Sequence, residues 1–290
     1  MTYARRVPRS ADATAVVTVS YNSSGQLDPF LSSLADEIAA GVRVVIADNA
    51  SADREETQRI AASHGATMLP LDQNLGYGGA VNRAVRSLPA RIDAVLVCNP
   101  DVLVGMQALD RLRERLDEDH TIGAVGPRIL NEDGSLYPSA RRIPSLRTGI
   151  GHALFVRVWP TNPWTRAYRF EDELTARDVG WLSGACLLVR RSVFDRLSGF
   201  DEGYFMYFED VDLGYRIGRA GYRNHYEPGA SVIHVGGLST QRESKRMVRA
   251  HHDSAYRFLA NKYRGPLLAP LRGVLRAALA GRSWLLTRRS

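Results

Sequence analysis

Two valine-rich runs of the sequence end in residues that could recognise a nucleotide. Tyr21 follows the first run and could offer its flat ring to a base; Asp48 ends the second, where its carboxylate could accept a hydrogen bond from a base imide or a ribose hydroxyl. Structural explanations compete with both, because an Asn-Ser-Ser-Gly turn follows Tyr21 and because Asn49 or Ser51 could cap the next helix. Ligand recognition by Asp48 and helix capping by Asn49 or Ser51 involve different side chains, so both interpretations can be correct.

A third apolar run ends in Asn99, Pro100 and Asp101. The amide and carboxylate oxygens of such a segment are hard donors, suited to Mg²⁺ or Mn²⁺ shared with substrate phosphates. An Asn-Pro turn with Asp101 capping the next helix would explain the same residues. His234 lies in another apolar run. A lone histidine in a strand more often has a structural role than a role as a metal ligand, unless a carboxylate such as Asp101 lies beside it.

The acidic segment 209–212 is the most specific signal for catalysis. If a helix begins near Phe208, Asp210 falls on the same stripe as Leu213 and Ile217, which is the apolar face. Burial there would raise the pKa of Asp210 and suit it to act as a general base. The side chains expected to surround it are those just before the helix: Phe205, Met206, Tyr207 and Phe208.

The other acidic residues of this segment have simpler explanations. Asp212 and Arg216 are four residues apart, which predicts a surface ion pair on a second helix face. Glu209 fits the general preference of acidic residues for helix N-termini. These explanations leave Asp210 as the candidate base.

Two further patterns are weaker by themselves. The segment 74–82 begins with Asn74 and contains Gly76 and two more glycines, which would let the backbone approach a ligand near a helix start. It matches neither the P-loop nor the dinucleotide-binding fingerprint. Trp181, just before Gly184, could stack on the sugar of an acceptor, and a core tryptophan explains it equally well.

Apolar and helical patterns alternate over the first hundred residues. Strands are predicted at 15–20, 42–47, 67–71 and 94–98, with helices at 28–40, 52–64 and 79–88. This alternation indicates an α/β fold with a mostly parallel central sheet flanked by helices, and ligands at the carboxyl ends of its strands. Beyond it we expect long loops over 131–177, an apolar stretch over 181–189, a short helix over 193–197 and a strand over 231–235.

The composition is that of an ordinary globular protein. The chain has 290 residues, of which 44% are hydrophobic and 24% charged, which excludes disordered and collagen-like classes. Cys98 and Cys186 each lie in an apolar run, which predicts buried free thiols rather than disulfides. No apolar segment follows the basic first residues, so we expect a cytoplasmic protein without a signal peptide or a spanning helix.

Positive charge is concentrated in the C-terminal segment. Residues 241–290 carry twelve arginines and lysines against Glu243 and Asp253, a balance of +10, so the rest of the chain carries −3 of the overall +7. From Gly265 onward, apolar residues alternate with arginines, as in a helix lying in a membrane interface. We therefore divide the chain into a flexible N-terminus (1–12), a catalytic domain (13–240) and a basic helical segment for membrane association (241–290), which could instead pack on the domain or on another subunit.

Taken together, five segments resemble the inverting glycosyltransferase family 2, which has the GT-A fold. The resemblance covers about Ala13 to Ser239 and rests on the order and spacing of these segments: Val16–Ser23, Val44–Ser51, Asn74–Asn82, Leu96–Asp101 and Gly199–Leu213. It implies nucleotide-sugar contacts by Tyr21, Asp48, Asn49, Asn74, Gly76 and Asn99, metal contacts by Asp101 and His234, catalysis by Asp210, and acceptor contacts by Trp181, Gly184 and Glu209. Asn99 departs from the aspartate that usually opens the family's metal-binding motif and leaves one charge fewer on the metal.

Within this family the chain is most similar to bacterial rhamnosyltransferases. The resemblance implies transfer of rhamnose from dTDP-rhamnose, with Mg²⁺ or Mn²⁺, to a polyprenyl-diphosphate-linked N-acetylglucosamine during assembly of the arabinogalactan cell-wall linker. It also implies a single displacement with inversion, at the inner face of the plasma membrane. Nucleic acid is not an expected partner, and the oligomeric state is left open. The alternatives are another donor or acceptor, a nucleotidyltransferase, or a non-catalytic membrane-binding module.

Overall fold

A mixed β-sheet lies at the centre of the structure, a computed structural model that describes residues 13–105, 107–145, 174–236 and 245–289. The strands are β1 (Thr14–Ser20), β2 (Arg43–Asp48), β3 (Thr67–Pro70), β4 (Ala94–Cys98), β5 (Val102–Val104), β6 (Ile122–Asn131), β7 (Leu136–Tyr137), β8 (Ala140–Arg141), β9 (Arg177–Val179), β10 (Trp181–Leu182), β11 (Cys186–Arg190) and β12 (Arg223–His234). Ten of them form the central sheet, and β8 and β10 form a separate pair.

Helices flank the sheet on both sides. They are α1 (Ser24–Ser32), α2 (Ala35–Ala39), α3 (Arg54–Ser63), α4 (Gly76–Ser87), α5 (Ala108–Glu118), α6 (Arg191–Arg196), α7 (Glu209–Arg219), α8 (Lys245–Lys262) and α9 (Ala269–Arg289), with a 3₁₀ turn at Pro266–Leu268. The helix expected over 28–40 is divided into α1 and α2. The apolar stretch expected over 181–189 is likewise divided into β10 and β11 by a turn at residues 183–185.

The predicted parallel sheet is confirmed for its N-terminal half. The order β3-β2-β1-β4 is parallel throughout, whereas β11 lies antiparallel between β4 and β6, and β12 runs parallel to β6. The sheet is therefore mixed beyond β4. The change coincides with the loss of regular strand-helix alternation after Asp101, because short connections between strands favour antiparallel neighbours.

Both faces of the sheet are buried, as the continuous apolar composition of its central strands requires. Successive residues of β1 point to opposite faces: Val16 packs in the cluster that contains Leu112 of α5, and Val17 packs in the cluster that contains Val81 of α4. Cys98 and Cys186 are buried opposite each other on β4 and β11 as free thiols, which confirms that prediction.

The C-terminal segment is helical over its described part. Phe258 of α8 is fully buried against Tyr204 and Val211, so α8 packs on the domain, and Arg276 of α9 lies over the ring of Tyr256 at 5.8 Å. Within the described residues, no helix has the length and apolar character needed to span a membrane. The predicted N-terminal segment 1–12 and most of the loop predicted over 131–177 lie outside the described residues.

Candidate active site

The carboxyl ends of β2, β1 and β4 lie side by side and bring the first candidate residues together. Ser20 of β1 is in register with Asp48 of β2, so Tyr21 and Asp48 share one edge of the sheet. Asn99 follows β4 on the other side of β1, and its backbone amide donates to the carbonyl of Ala185. The parallel arrangement therefore assembles three predicted residues from distant parts of the sequence.

Asp48 is buried but has an unused acceptor atom. Its Oδ1 accepts a hydrogen bond of 2.9 Å from Nε of Arg54, whereas its buried Oδ2 has no partner among the described residues. A buried carboxylate oxygen without a donor is costly unless a ligand supplies one. The side chain of Tyr21, which is 52% exposed, is accessible at the same edge. The ion pair with Arg54 was not predicted from the sequence.

Asn49 and Asn74 join two loops at this edge. Nδ2 of Asn49 donates to Oδ1 of Asn74 over 2.9 Å, and Oδ1 of Asn49 accepts from the backbone amide of Leu75 over 2.8 Å. The proposal that Asn49 or Ser51 caps the next helix is wrong, since α3 begins at Arg54. Both amide side chains hold the loop before α4 in place, and their contacts with a nucleotide sugar stay predictions.

Gly76 allows a close approach, but of protein rather than of ligand. It has a φ of +73°, and a Cβ at this position would lie 2.3 Å from the carbonyl oxygen of Phe205. The backbone amide of Tyr77 donates to the same oxygen over 3.2 Å. The glycine is therefore required because the loop before α7 packs directly on the first turn of α4.

Asp101 and His234 are brought together by the pairing of β5 with β12. His234 is in register with Val102, and its Nε2 lies 3.1 Å from Oδ1 of Asp101. This is the nearby carboxylate that favours a ligand role for His234. No group of three or more potential metal ligands occurs within the described residues.

The space beside this pair is kept open by a glycine. A Cβ on Gly236 would lie 2.9 Å from Nε2 of His234 and 3.2 Å from Oδ2 of Asp101. A carboxylate and an imidazole facing an unfilled space suit Mg²⁺ or Mn²⁺, which bind proteins through few side chains and take their remaining ligands from phosphates and water. The donor set therefore fits a divalent ion that is shared with a substrate diphosphate.

Asp210 lies in the first turn of α7 and is held by backbone amides. Its Oδ2 accepts a hydrogen bond of 2.9 Å from the amide of Gly184, and its Oδ1 accepts one of 2.8 Å from the amide of Val211. Burial raises the pKa of Asp210, and these hydrogen bonds oppose the shift because they favour the ionised form. The direction of the pKa shift is the expected one, and the role of Asp210 as a general base stays a prediction.

The aromatic residues before α7 do not surround Asp210 as expected. The rings of Tyr207 and Phe208 pack edge-on against His251 of α8, at 5.4 and 5.5 Å, and Phe205 is 39% exposed. The reason is the left-handed backbone of Tyr207 and Phe208, each with a φ of 67°, which turns the chain before the helix. Asp210 is half-buried and is covered instead by the loop around Gly184.

The ion pair of Asp212 was expected at the surface, but Asp212 is buried, as is Glu209. Asp212 does pair with Arg216, at 2.6 Å, but not at the surface. Glu209 occupies the first turn as expected, yet its Oε2 has no partner among the described residues, and burial together with the charge of Asp210 raises its pKa to about 8. The helix starts at Glu209, which turns this side chain inward.

Two aromatic residues support the loop that holds Asp210. The hydroxyl of Tyr77 donates to the carbonyl of Gly184 over 2.7 Å, a contact that the sequence did not predict. The indole of Trp181 donates to the carbonyl of Arg142, and its Cβ lies against Gly214. Trp181 is thus half-buried in a structural position, and its contact with an acceptor stays a prediction.

Known proteins are similar to this chain in sequence. The model of glycosyl transferase family 2 matches residues 15–198. The N-acetylglucosaminyl-diphospho-decaprenol L-rhamnosyltransferase of Mycobacterium tuberculosis is 46% identical over 289 residues, which cover 96% of this chain and 94% of the relative. The Escherichia coli rhamnosyltransferase WbbL is 44% identical over 193 residues, which cover 64% of this chain and 71% of that protein.

A solved structure supports the fold. The mannosyltransferase PcManGT of Pyrobaculum calidifontis, determined with GDP-Man and Mn²⁺, superposes with a TM-score of 0.58 and 17% identity over 98% of this chain and 77% of its own. At this identity the likeness concerns the fold alone. From the family match, the relatives and the sheet with its edge of polar residues, we conclude that the chain belongs to glycosyl transferase family 2 and is a glycosyltransferase with the GT-A fold.

Proposed function

We propose that the protein transfers rhamnose from dTDP-rhamnose to a polyprenyl-diphosphate-linked N-acetylglucosamine, a step in assembly of the arabinogalactan cell-wall linker. The observation that carries this proposal is the 46% identity to the mycobacterial rhamnosyltransferase over nearly the full length of both chains. The match extends beyond the nucleotide-binding half into the segments that contain Asp210, His234 and α8.

The nucleotide of the donor would bind at the edge formed by β1, β2 and β4. Tyr21 presents an accessible ring for the base, and the unused Oδ2 of Asp48 is available to a base imide or a ribose hydroxyl. Asn99 lies at the same edge, beside the position expected for the diphosphate. Recognition of rhamnose itself depends on the shape of the pocket and not on these motif residues.

Asp101 and His234 would hold a Mg²⁺ or Mn²⁺ ion against the donor diphosphate. Their separation of 3.1 Å and the space left by Gly236 support this assignment, as does the Mn²⁺ in the mannosyltransferase structure. When bound, the ion supplies positive charge that stabilises the departing nucleoside diphosphate. The neutral amide of Asn99 adds no charge at this point.

Asp210 would act as the base. Its ionised carboxylate takes the proton from an acceptor hydroxyl as that oxygen attacks the anomeric carbon from the face opposite the nucleotide. The bond between the anomeric carbon and the phosphate oxygen breaks, its electron pair leaves with dTDP, and the configuration inverts. The amides of Gly184 and Val211 hold the carboxylate, which limits its motion before the attack.

The C-terminal segment would place the enzyme at the inner face of the plasma membrane. Leu267 and Val274 are 93% and 67% exposed, next to the basic residues Arg272 and Arg276 of α9. Exposed apolar groups among cations are what an anionic membrane surface binds. Because the proposed acceptor is lipid-linked, an enzyme at the membrane surface would lie close to its substrate.

The test is an assay with purified protein, a panel of nucleotide sugars and a short polyprenyl-diphospho-N-acetylglucosamine, with Mg²⁺ or Mn²⁺ and with EDTA. We expect metal-dependent product from dTDP-rhamnose, seen by mass spectrometry as one added deoxyhexose. Product from another donor alone would change the sugar but keep the reaction. A folded protein that binds dTDP and forms no product from any donor would contradict the proposed function.

A further inference from the structure

A groove lies between the loop before α7 and one face of α8. Its volume is about 570 Å³, and its lining comes from Gly203 and Phe205 on the loop side and from Arg249, Asp253, Ser254 and Arg257 on the helix side. Ligand sites for small molecules commonly have volumes of about 300–1,000 Å³. The groove is therefore large enough for a monosaccharide with a diphosphate.

The floor of the groove is rigid. Arg257 forms a bidentate ion pair with Asp201 and lies over the ring of Tyr204 at 5.2 Å. Its guanidinium covers Gly203, where a Cβ would lie 1.9 Å from Nη2, so a larger residue there would displace the end of the Arg257 side chain. Ser254 donates to the carbonyl of Met206 over 2.8 Å and fixes the loop to the helix. Such a floor needs little rearrangement on binding.

Two charged residues of the groove remain available. Arg249 is exposed and forms no ion pair with any residue that the structure describes, although Asp253 is only one turn away on α8. Asp253 is exposed and likewise unpaired within the described part of the chain. A guanidinium is suited to a phosphate, and a carboxylate is a common acceptor for sugar hydroxyls.

Phe205 connects the groove with the catalytic site. Its carbonyl accepts from the amide of Tyr77 and contacts Gly76, so its backbone is fixed on the first turn of α4. The ring is 39% exposed and lines the groove. Asp210 follows five residues later in the chain, and its carboxylate accepts a hydrogen bond from the amide of Gly184. An exposed ring on a fixed backbone gives the apolar face of a sugar a surface to stack on.

We propose that this groove binds the N-acetylglucosaminyl diphosphate of the acceptor, with Arg249 on the diphosphate, Phe205 against the sugar ring and Asp253 on a sugar hydroxyl. This assignment rests on the proposed function. It also gives α8, which lies beyond the segment matched by the family model, a direct part in acceptor recognition. None of the residues that line the groove belongs to the donor edge around Asp48.

The test measures donor and acceptor separately with Arg249→Ala and Phe205→Ala. Each change is expected to raise the KM for the soluble acceptor about tenfold, the loss of one charge-assisted hydrogen bond or one stacking contact, and to leave the KM for dTDP-rhamnose unchanged. Arg219→Ala is the matched control, because Arg219 is exposed on α7 and has no ion pair within the described residues. It should leave both constants unchanged.

A direct measurement separates this proposal from the proposed function. The short polyprenyl-diphospho-N-acetylglucosamine is titrated into the protein without donor, followed by calorimetry, and Arg249→Ala is expected to weaken binding about tenfold and to reduce its salt dependence. Unchanged acceptor binding by Arg249→Ala and Phe205→Ala would overturn the groove assignment. A loss of dTDP binding as large as the loss of acceptor binding would also overturn it. A wild-type protein that binds the acceptor through Arg249 and yet forms no product would overturn the proposed function and leave the groove assignment supported.

Discussion

The carboxylate of Asp210 is hydrogen-bonded to the backbone amide of Gly184, 2.9 Å away and 26 residues earlier in the chain. This contact joins the first turn of α7 to the turn between β10 and β11, whose carbonyl at Gly184 also accepts from the hydroxyl of Tyr77. Three separate segments therefore fix one carboxylate. An amide donor favours its ionised form, the form that can accept a proton, although burial raises its pKa.

Asp48→Asn is expected to weaken binding of dTDP about tenfold. The asparagine keeps an oxygen for Arg54 but replaces the unpaired Oδ2 by a donor, which cannot accept from a base imide. Calorimetric titration with dTDP measures the effect. Arg59→Ala, which removes an exposed ion pair with Glu56 from α3, is the control and should leave the affinity unchanged. Equal affinities for wild type and Asp48→Asn would show that the nucleotide binds elsewhere.

Gly236→Ala is expected to weaken Mn²⁺ binding in the presence of dTDP by tenfold or more. The added methyl would enter the space beside His234 and Asp101, 2.9 Å from the imidazole Nε2. Gly218→Ala is the control, since nothing lies within 4 Å of its Cβ position on α7. Electron paramagnetic resonance of free Mn²⁺ measures the affinity. If both variants bind Mn²⁺ as the wild type does, the ion is not held by this pair.

The contact between Asp101 and His234 was only partly predictable from the sequence. The place of Asp101 at the end of an apolar run predicts a metal ligand, and the prediction for His234 depends on a nearby carboxylate, which the pairing of β5 with β12 provides. The ends of strands are predictable because local apolar patterns define them. The partners that a strand end meets depend on sheet order, which local patterns do not determine.

The errors around α7 have a different cause. The helix begins at Glu209, as expected near Phe208, but two left-handed residues precede it, and the rings of Tyr207 and Phe208 face α8. The contact of Gly76 with Phe205 was missed for a similar reason, because packing between two loops leaves no periodic signal in the sequence.

Glu209→Gln is expected to stabilise the protein, and more so at higher pH. The pKa of Glu209 is about 8 in the folded state and about 4.5 in an unfolded chain, so folding takes up a proton between these values and stability falls as pH rises through this window. Glutamine is neutral at every pH and removes this loss, which is about 4 kcal/mol at pH 8 and close to zero at pH 4. Chemical unfolding at both pH values measures it. An equal difference at the two pH values would show that Glu209 is ionised in the folded protein.

Phe258→Ala is expected to destabilise the whole catalytic domain by about 3–5 kcal/mol, because the ring is fully buried between α8 and the first turns of α7. Leu267→Ala is the control: its side chain is 93% exposed, so the free energy of unfolding should not change, while binding to anionic vesicles should weaken. Thermal unfolding and vesicle sedimentation distinguish the two effects. A stable Phe258→Ala variant would show that α8 is independent of the domain.

The most direct test of the account is the rate of rhamnosyl transfer by Asp210→Asn. The substitution keeps the shape of the side chain and removes its ability to take a proton, so we expect a loss of kcat of roughly a thousandfold with dTDP affinity unchanged. Asp195→Asn, which alters an exposed acidic residue of α6, should retain full activity. An Asp210→Asn enzyme that transfers rhamnose at the wild-type rate would contradict the assignment of Asp210 as the base.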